Sequence, residues 1–191
     1  MILANKTVLF LGSSVTYGSA SGGVAFPEMM AETCGLTAIK EAVSGTTLTD
    51  RSPSSYVSRL KTVDTSLSVD LFICQLSTND AKKNLPLDGI EAAIRTILSY
   101  VKETWSCPIV FYTGTHYESP AYAGMVELLL RLQGELGGDY TFTVLDLWND
   151  PDMRAVSPED YAKYMKDPVH PTALGYREWW TPKFIAYCEA L

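Results

Sequence analysis

Short apolar segments alternate with helical patterns along the whole chain, and this alternation constrains the fold more than any other feature. Strands that are apolar throughout are typical of parallel sheets with helices on both faces. We therefore predict a three-layer α/β/α sandwich with a five-stranded parallel sheet in the flavodoxin-like order 2-1-3-4-5. The predicted strands are Thr7–Leu11, Thr37–Val43, Asp70–Leu76, Ile109–Thr113 and Phe142–Leu147.

The helices between these strands are predicted from apolar spacing and from cap residues. Leu87–Trp105 carries the clearest pattern, with apolar side chains at i, i+3 and i+4 intervals. Further helices are expected from Pro27 to near Gly35, over Ala121–Leu136, after Ser52-Pro53, from Ser157-Pro158, and from Ala173 or Leu174 towards Leu191.

Size and charge limit the class of protein and its partners. A chain of 191 residues without a linker or repeat fits one domain over residues 1–191. Its net charge of -7 disfavours nucleic acid and anionic membranes as partners. No apolar stretch has the length of a membrane span or the character of a secretory signal, so a cytoplasmic location is expected. Four scattered cysteines without CxxC spacing fit reduced thiols better than a disulfide framework or a zinc site.

In open parallel sheets ligands bind beyond the carboxyl ends of the strands, so residues that follow strands are the candidates for function. The first such stretch, from Gly12 to Gly18, is rich in small polar residues. It places Ser14 at the rim of the sheet, at the start of a helical turn, where a developing anion is favoured. Ser14 is therefore a candidate nucleophile.

A second candidate stretch, Asp167-Pro168-Val169-His170-Pro171, lies between the last two predicted helices. A catalytic serine needs a base, and the base needs a partner that fixes its tautomer and orientation. Asp167 lies three residues before His170 and can act as that partner within one turn. The chain has only two histidines, so the choice of an imidazole base is narrow.

Two further stretches follow the second and third predicted strands. They contain Gly45, in Val43-Ser44-Gly45-Thr46, and Asn79, in Ser77-Thr78-Asn79-Asp80. Hydrolysis of an ester requires preorganised donors for the oxyanion. A glycine lets a backbone amide approach the substrate, and an asparagine adds a side-chain donor.

This ordered set of residues resembles the SGNH (GDSL-type) hydrolase family, which is named for Ser, Gly, Asn and His in four sequence blocks. Ser14, Gly45 and Asn79 match the first three blocks, and Asp167 with His170 matches the final Asp-x-x-His. The resemblance spans the chain. It implies ester or thioester hydrolysis through an acyl-enzyme, without metal or other cofactor. It also implies an oxyanion hole formed by the Ser14 and Gly45 amides and the Asn79 side chain.

The chain departs from the family pattern at two positions. Ser13 stands where the family has the aspartate of Gly-Asp-Ser, and Ser77 stands where it has the glycine of Gly-x-Asn-Asp. Neither change removes a catalytic group. Both limit the transfer of substrate preference from other members, and the first affects the loop around the nucleophile.

Other residues after the strands are candidates for substrate contact. These are Tyr17, His116 and Tyr117, with Trp148 as a further aromatic that could line a pocket. Asp146 and Asp150 lack the spacing of metal ligands, so no metal site is predicted.

The sequence thus predicts a serine esterase that acts on a small-molecule ester. The stretches after the strands are short and polar, and no long apolar insertion suggests a lipase lid. We therefore expect short acyl groups, acetyl above all, on a polar or carbohydrate scaffold. Three alternatives remain: a thioesterase or lysophospholipase of the same family, a flavodoxin-like FMN-binding protein, and a non-catalytic glycan-binding relative.

Overall fold

The core of the chain is a five-stranded parallel sheet whose three inner strands are nearly all apolar. The computed structural model describes residues 1–191. The strands are β1 (Thr7–Gly12), β2 (Thr37–Ala42), β3 (Leu71–Gln75), β4 (Ile109–Tyr112) and β5 (Phe142–Leu145). β1, β3 and β4 lie inside the sheet and are almost wholly buried, which explains their continuous apolar character.

The strand order is β2-β1-β3-β4-β5, and all neighbouring strands are parallel. This confirms the predicted three-layer architecture and its order. The order reverses direction at β1, so the residues that follow β1 and β3 meet at a topological switch point. Leu9 shows the register, since it lies opposite Ile39 of β2 and Phe72 of β3.

Helices connect successive strands and cover the sheet. Those before β4 are α1 (Ser14–Tyr17), α2 (Phe26–Cys34), α3 (Tyr56–Leu60), α4 (Thr78–Lys82) and α5 (Leu87–Thr104). After β4 come α6 (Pro120–Tyr140), α7 (Pro151–Arg154), α8 (Pro158–Tyr164), α9 (Ala173–Gly175), a π-helical segment (Tyr176–Trp180) and α10 (Thr181–Glu189). None of these helices is both long and apolar enough to cross a membrane.

Each face of the sheet has its own hydrophobic core because successive side chains of a strand point to opposite faces. On β1, Leu9 and Leu11 belong to the core under α3, α5 and α6, whereas Val8 and Phe10 belong to the core under α2 and α10. The second core includes Phe26 and Phe184, whose rings stack with centroids 3.9 Å apart.

Local sequence explains where the main helices begin and end. α5 buries one continuous stripe at helical spacing: Ile90, Ala93, Ile94, Ile97, Leu98 and Val101. In α2, Pro27 occupies the first turn and the Glu28 carboxylate accepts a hydrogen bond from the Ala25 amide at 2.9 Å. Gly35 ends α2 in the left-handed conformation, which glycine adopts without strain.

One predicted helix differs from that in the structure. The helix expected after Ser52-Pro53 begins only at Tyr56, because the Ser55 hydroxyl accepts the Ser58 amide and forms the cap. The last helix runs without a break from Ala173 to Glu189, as predicted, and contains the π-helical segment between α9 and α10. The short helices α4 and α7 were not predicted, because four or five residues carry too little periodicity.

Gly175 explains how the last part of the chain packs against α8. A Cβ atom at this position would lie 2.0 Å from the carbonyl oxygen of Tyr164, so only glycine allows the backbones to approach this closely. The chain segment between these residues forms a loop that returns to the sheet edge and carries Asp167 and His170.

Candidate active site

Ser14 lies directly beyond the carboxyl end of β1, as the first residue of α1. It is 8% exposed, while the neighbouring Ser13 is fully buried. The strand therefore brings the Ser14 hydroxyl to the floor of a surface cavity while the preceding residue anchors the turn in the core.

A glutamine at the end of β3 holds this turn in place. The Gln75 side-chain oxygen accepts hydrogen bonds from the Ser13 amide at 2.9 Å, the Thr16 hydroxyl at 2.9 Å and the Thr16 amide at 3.3 Å. The Thr16 hydroxyl also lies 2.7 Å from the Tyr112 hydroxyl of β4. A buried acceptor shared by several donors fixes the backbone on both sides of Ser14.

A buried arginine holds the preceding strand end. Arg59 of α3 is 7% exposed and donates to the Gly12 carbonyl oxygen at 2.7 Å. The same guanidinium donates to the carbonyl and the carboxylate of Glu41 at 2.9 Å each. It also contacts the Thr46 hydroxyl at 3.3 Å. Arg59 thus links the ends of β1 and β2 immediately before the candidate nucleophile and beside the loop that contains Gly45.

The loop that carries Asp167 and His170 is closed at its base. Met165 and Pro171 form an isolated antiparallel bridge, and the Lys166 amide donates to the His170 carbonyl at 2.8 Å. Within the loop, one oxygen of the Asp167 carboxylate accepts the Val169 amide at 2.8 Å and the His170 amide at 2.9 Å. These bonds fix the carboxylate relative to the histidine backbone.

The histidine ring lies between the serine and the carboxylate. Its Nε2 atom is 2.8 Å from Ser14 Oγ, and its Nδ1 atom is 2.8 and 2.9 Å from the two oxygens of Asp167. A carboxylate beside Nδ1 favours the tautomer with a proton on that atom, which leaves Nε2 free to accept the serine proton. The arrangement can therefore generate a serine nucleophile.

The electrostatics of Asp167 suit this arrangement. Partial burial acts to raise the pKa of Asp167, but hydrogen bonds from the Val169 amide and from the ring and amide of His170 outweigh it. The pKa of the carboxyl therefore lies below its ordinary value, and the group stays ionised beside the imidazole at neutral pH.

Asn79 lies on α4, near the nucleophile turn. Its side-chain nitrogen donates to the Thr46 carbonyl at 2.9 Å and to the Ser13 hydroxyl at 3.3 Å. The amide thereby ties α4 both to the turn before Ser14 and to the loop after β2. The side chain is oriented by these bonds and lines the same cavity as Ser14.

Gly45 occupies an exposed turn after β2 with φ +80. This left-handed conformation explains the glycine. Steric crowding does not, because a Cβ atom at this position would meet nothing within 4 Å. The Gly45 amide has no hydrogen-bond acceptor within the protein. Gly45 does not itself line the cavity at Ser14, and it is linked to that cavity through Thr46 and Asn79.

Asp80, the neighbour of Asn79, fixes the same loop from the other side. It is fully buried, and its carboxylate accepts the Leu48 amide at 2.8 Å and the Thr49 amide at 3.0 Å, as well as the Thr49 hydroxyl. The backbone from Gly45 to Thr49 is thus held against α4 by two consecutive side chains.

The cavity above Ser14, which we call the catalytic cavity, has a volume of about 380 Å³. Most of its lining residues are polar or charged, and Tyr117 and Val169 are the only apolar residues among them. The full set is Ser14, Thr78, Asn79, Lys82, Tyr117, Ser119, Asp167, Val169 and His170. It combines the serine, histidine, carboxylate and asparagine with an open polar space.

Two predicted contact residues lie outside the catalytic cavity. Tyr17 is 44% exposed, and its ring lies beside Gly23 and under the Lys40 ammonium. The chain turns away directly after Tyr17, at Gly18, which has a left-handed conformation. His116 packs against Trp148, with ring centroids 4.6 Å apart. It lines a neighbouring cavity of about 310 Å³ that also includes Arg154 and Trp179. Tyr117 is the predicted contact residue that the catalytic cavity does include.

Sequence reasoning missed Gln75, Arg59 and Asp80. Gln75 gave one signal, because it is a polar residue inside an otherwise apolar strand. The sequence contains no signal for the roles of Arg59 and Asp80, since their hydrogen-bond partners lie far away along the chain.

The other reactive side chains of the chain are dispersed. All four cysteines are free, and burial raises the pKa of the Cys74 thiol well above its ordinary value. No three His, Cys, Asp or Glu side chains converge on a point where a metal ion could be held.

Comparison with known proteins agrees with this geometry. Residues 10–178 match the model of the GDSL-like Lipase/Acylhydrolase family. No curated protein gives a significant match to the sequence.

Among solved structures, a putative lipolytic protein of the G-D-S-L family from Desulfitobacterium hafniense has a TM-score of 0.73 at 18% identity. The match covers 94% of this chain and 98% of that one. An acetylxylan esterase from Geobacillus stearothermophilus has a TM-score of 0.71 at 16% identity and coverages of 97% and 95%. A family two carbohydrate esterase from Clostridium thermocellum, in complex with cellohexaose, has a TM-score of 0.76 at 14% identity and coverages of 98% and 64%. At these identities the likeness shows a shared fold.

Proposed function

Because this chain belongs to the GDSL-like lipase/acylhydrolase family and is therefore a carboxylic ester hydrolase, we propose that it acts through an acyl-enzyme on Ser14. His170 is the base in this proposal, and Asp167 orients it. The observation that carries the proposal is the contact of 2.8 Å between Ser14 Oγ and His170 Nε2, with Asp167 bound to the opposite ring nitrogen.

The proposed reaction has two stages. Ser14 Oγ attacks the ester carbonyl carbon as its proton passes to Nε2 of His170. The bond to the alcohol oxygen then breaks, and the alcohol leaves with that proton while the acyl group stays on Ser14. In the second stage His170 takes a proton from water, the resulting hydroxide attacks the acyl-enzyme, and the acid leaves as Ser14 regains its proton.

The oxyanion of each tetrahedral intermediate needs hydrogen-bond donors. We assign this role to the Ser14 and Gly45 backbone amides and to the Asn79 side chain. The unpaired amide of Gly45 and the position of Asn79 in the wall of the catalytic cavity support the assignment. In the resting structure Asn79 donates to Ser13 and Thr46, and the longer bond of 3.3 Å to Ser13 is the one more readily exchanged for the oxyanion.

We further propose that the acyl group is short, acetyl above all, and that the alcohol is a polar or carbohydrate scaffold. The catalytic cavity supports this, since its volume is only about 380 Å³ and Tyr117 and Val169 are the only apolar residues that line it. Hydroxyl and amide groups at Thr78, Asn79 and Ser119 suit a hydroxylated leaving group. The similar structures include an acetylxylan esterase and a carbohydrate esterase.

The three alternative functions predicted from the sequence can be distinguished from the proposed one. Family membership sets aside the flavodoxin-like FMN-binding protein. The contacts that join Ser14, His170 and Asp167 argue against a non-catalytic glycan-binding relative, and labelling of Ser14 by a fluorophosphonate probe distinguishes the two. A thioesterase or lysophospholipase of the same family differs only in substrate, and a substrate panel distinguishes it.

The test compares kcat/KM for aryl acetate, butyrate, octanoate and palmitate, for acetylated sugars, and for an acyl thioester and a lysophospholipid. We expect the highest aryl-ester value for the acetate and clear turnover of an acetylated sugar. An acid quench during turnover followed by mass analysis should show the acetyl group on the peptide that contains Ser14. A preference that rises steadily with chain length, with no turnover of acetylated sugars, would overturn the substrate proposal.

A further inference from the structure

The positively charged side chains without a carboxylate partner are concentrated at one edge of the sheet. Most lysines and arginines elsewhere form salt bridges: Lys6, Lys40, Arg59, Arg95, Arg131, Lys163 and Lys183. The cations that remain unpaired at the carboxyl ends of the strands are Arg51, Lys82, Lys83, Arg154 and Lys166.

One of these cations, Lys82, lies directly beside the proposed chemistry. Lys82 ends α4 and lines the catalytic cavity with Ser14. The only carboxylate in the same wall is Asp167, which His170 already engages. The free charge that a substrate meets in this cavity is therefore positive.

A second cavity, which we call the cationic cavity, lies on the other side of α4. Its volume is about 470 Å³, and it is lined by Thr47, Arg51, Ser52, Lys83 and Asn84 together with two further residues of the same loop, Leu85 and Pro86. α4 and the residues after it contribute to both cavities, with Lys82 in one and Lys83 in the other. The cationic cavity is lined by residues that follow β2 and β3, and the carboxyl ends of these strands lie at the same edge of the sheet as Ser14.

No carboxylate forms a salt bridge with Arg51 or Lys83 in the cationic cavity. Asp80 is engaged by the Leu48 and Thr49 amides, and Asp50 accepts the Ser55 and Ser58 hydroxyls. Glu118 has no such partner, but it follows β4 and lies on the opposite side of the catalytic cavity.

We propose that the alcohol part of the substrate carries an anionic group, a carboxylate or a phosphate, that binds Arg51 and Lys83 in the cationic cavity while Lys82 guides it past Ser14. The inference rests on the proposed function and specifies its substrate as an acylated acidic carbohydrate. A planar guanidinium beside an ammonium offers donors suited to either anion. The short acyl group would occupy the catalytic cavity.

The first experiment compares the acetyl ester of methyl galacturonoside with that of methyl galactoside, which replaces only the carboxylate by a hydroxymethyl group. An acetylated sugar phosphate forms a third arm. For the native enzyme we expect kcat/KM for one of the anionic esters to exceed that for the neutral ester by about tenfold at low salt. Because exposed charges are screened, the excess should shrink as the ionic strength rises to about 0.5 M. The preferred arm identifies the anion.

The second experiment removes the charges. The variant Arg51→Gln/Lys83→Gln should lower the ratio of anionic to neutral kcat/KM by about tenfold, chiefly through KM for the anionic ester. The matched control Lys61→Gln/Arg177→Gln removes two unpaired cations that line neither cavity, and it should keep the ratio of the native enzyme. Thermal unfolding of each variant checks that the fold is kept.

The outcomes separate the two proposals. If aryl acetate is hydrolysed through Ser14 but the native enzyme treats anionic and neutral sugar esters alike at every salt concentration, the cationic cavity has no role and this inference is wrong. An equal loss of the ratio in the control variant would also refute it, since the effect would then reflect overall charge. If no ester is hydrolysed at all, the proposed function itself fails.

Discussion

The side-chain amide of Asn79 donates to the carbonyl oxygen of Thr46 at 2.9 Å, and this contact joins the elements that follow β2 and β3. It places a proposed oxyanion donor and the Gly45 loop in one hydrogen-bonded unit. Asp80 strengthens that unit through the Leu48 and Thr49 amides. The loop geometry therefore depends on two adjacent residues of α4, and each can be tested separately.

Replacing Asn79 by alanine should lower kcat by about 10²–10³, because one preorganised oxyanion donor is lost. KM should change little if the donor acts mainly on the transition state. Steady-state kinetics with an aryl acetate measure both, and Asn149→Ala, which removes an exposed amide bound to Asp146, is the control. A raised KM at constant kcat would make Asn79 a residue of ground-state binding instead.

Replacing Asp80 by asparagine should destabilise the Gly45 loop without touching the proposed triad. One of the two buried backbone amides then loses its acceptor, which costs on the order of 2 kcal/mol in the free energy of unfolding. We also expect a lower kcat with little change in KM, because the oxyanion donors are less well positioned. Denaturant unfolding and kinetics measured on the same preparation check this. A stability loss with unchanged kcat would show that Asp80 has only a structural role.

Ser13 allows a test of the departure from the family motif. It is fully buried, and both its amide and its hydroxyl face the side-chain oxygen of Gln75. Introducing the family residue by Ser13→Asp would bring a carboxylate against that acceptor, and we expect a loss of about 2–4 kcal/mol in the free energy of unfolding. Ser13→Ala should cost only about 1 kcal/mol. Equal stability of the two variants would show that the Gln75 network does not depend on a neutral residue here.

The activity should rise with pH in a single step between about pH 5 and 9, because a histidine base is active only when neutral. Asp167 does not supply that step: hydrogen bonds outweigh its partial burial and hold its pKa below the ordinary value, so it stays ionised throughout this range. Asp167→Asn should lower kcat, because the imidazole loses the carboxylate that orients it. The measurement is kcat/KM against pH for both proteins. A flat profile, with chemistry shown to be rate-limiting, would contradict a histidine base.

The sequence predicted the architecture because the fold rests on local patterns. Five apolar segments and the stripe of α5 specify a parallel sheet with covered faces, and the order 2-1-3-4-5 is confirmed. The short α4 was missed, since it is held by tertiary contacts such as the bond from Asn79 to the Thr46 carbonyl and the bond from the Leu48 amide to Asp80.

The site was harder to predict than the fold, because the sequence does not give side-chain direction. The position after a strand brought Ser14, Asn79 and Tyr117 to one cavity, as expected from the sheet. The same rule placed Tyr17 and His116 at the same edge, yet the turn at Gly18 and the contact with Trp148 direct them elsewhere. The bonds that hold the nucleophile turn come from Gln75 and Arg59, whose partners are distant in sequence.

The central claim is that Ser14 and His170 act together as nucleophile and base, and the most direct test is the turnover number of the single variants with an aryl acetate. Ser14→Ala and His170→Ala should each lower kcat by several orders of magnitude with the fold intact, because such residues act as a unit. Ser19→Ala, which alters an exposed serine five residues further along, should retain the native kcat. Near-native esterase activity in pure Ser14→Ala protein would contradict the account.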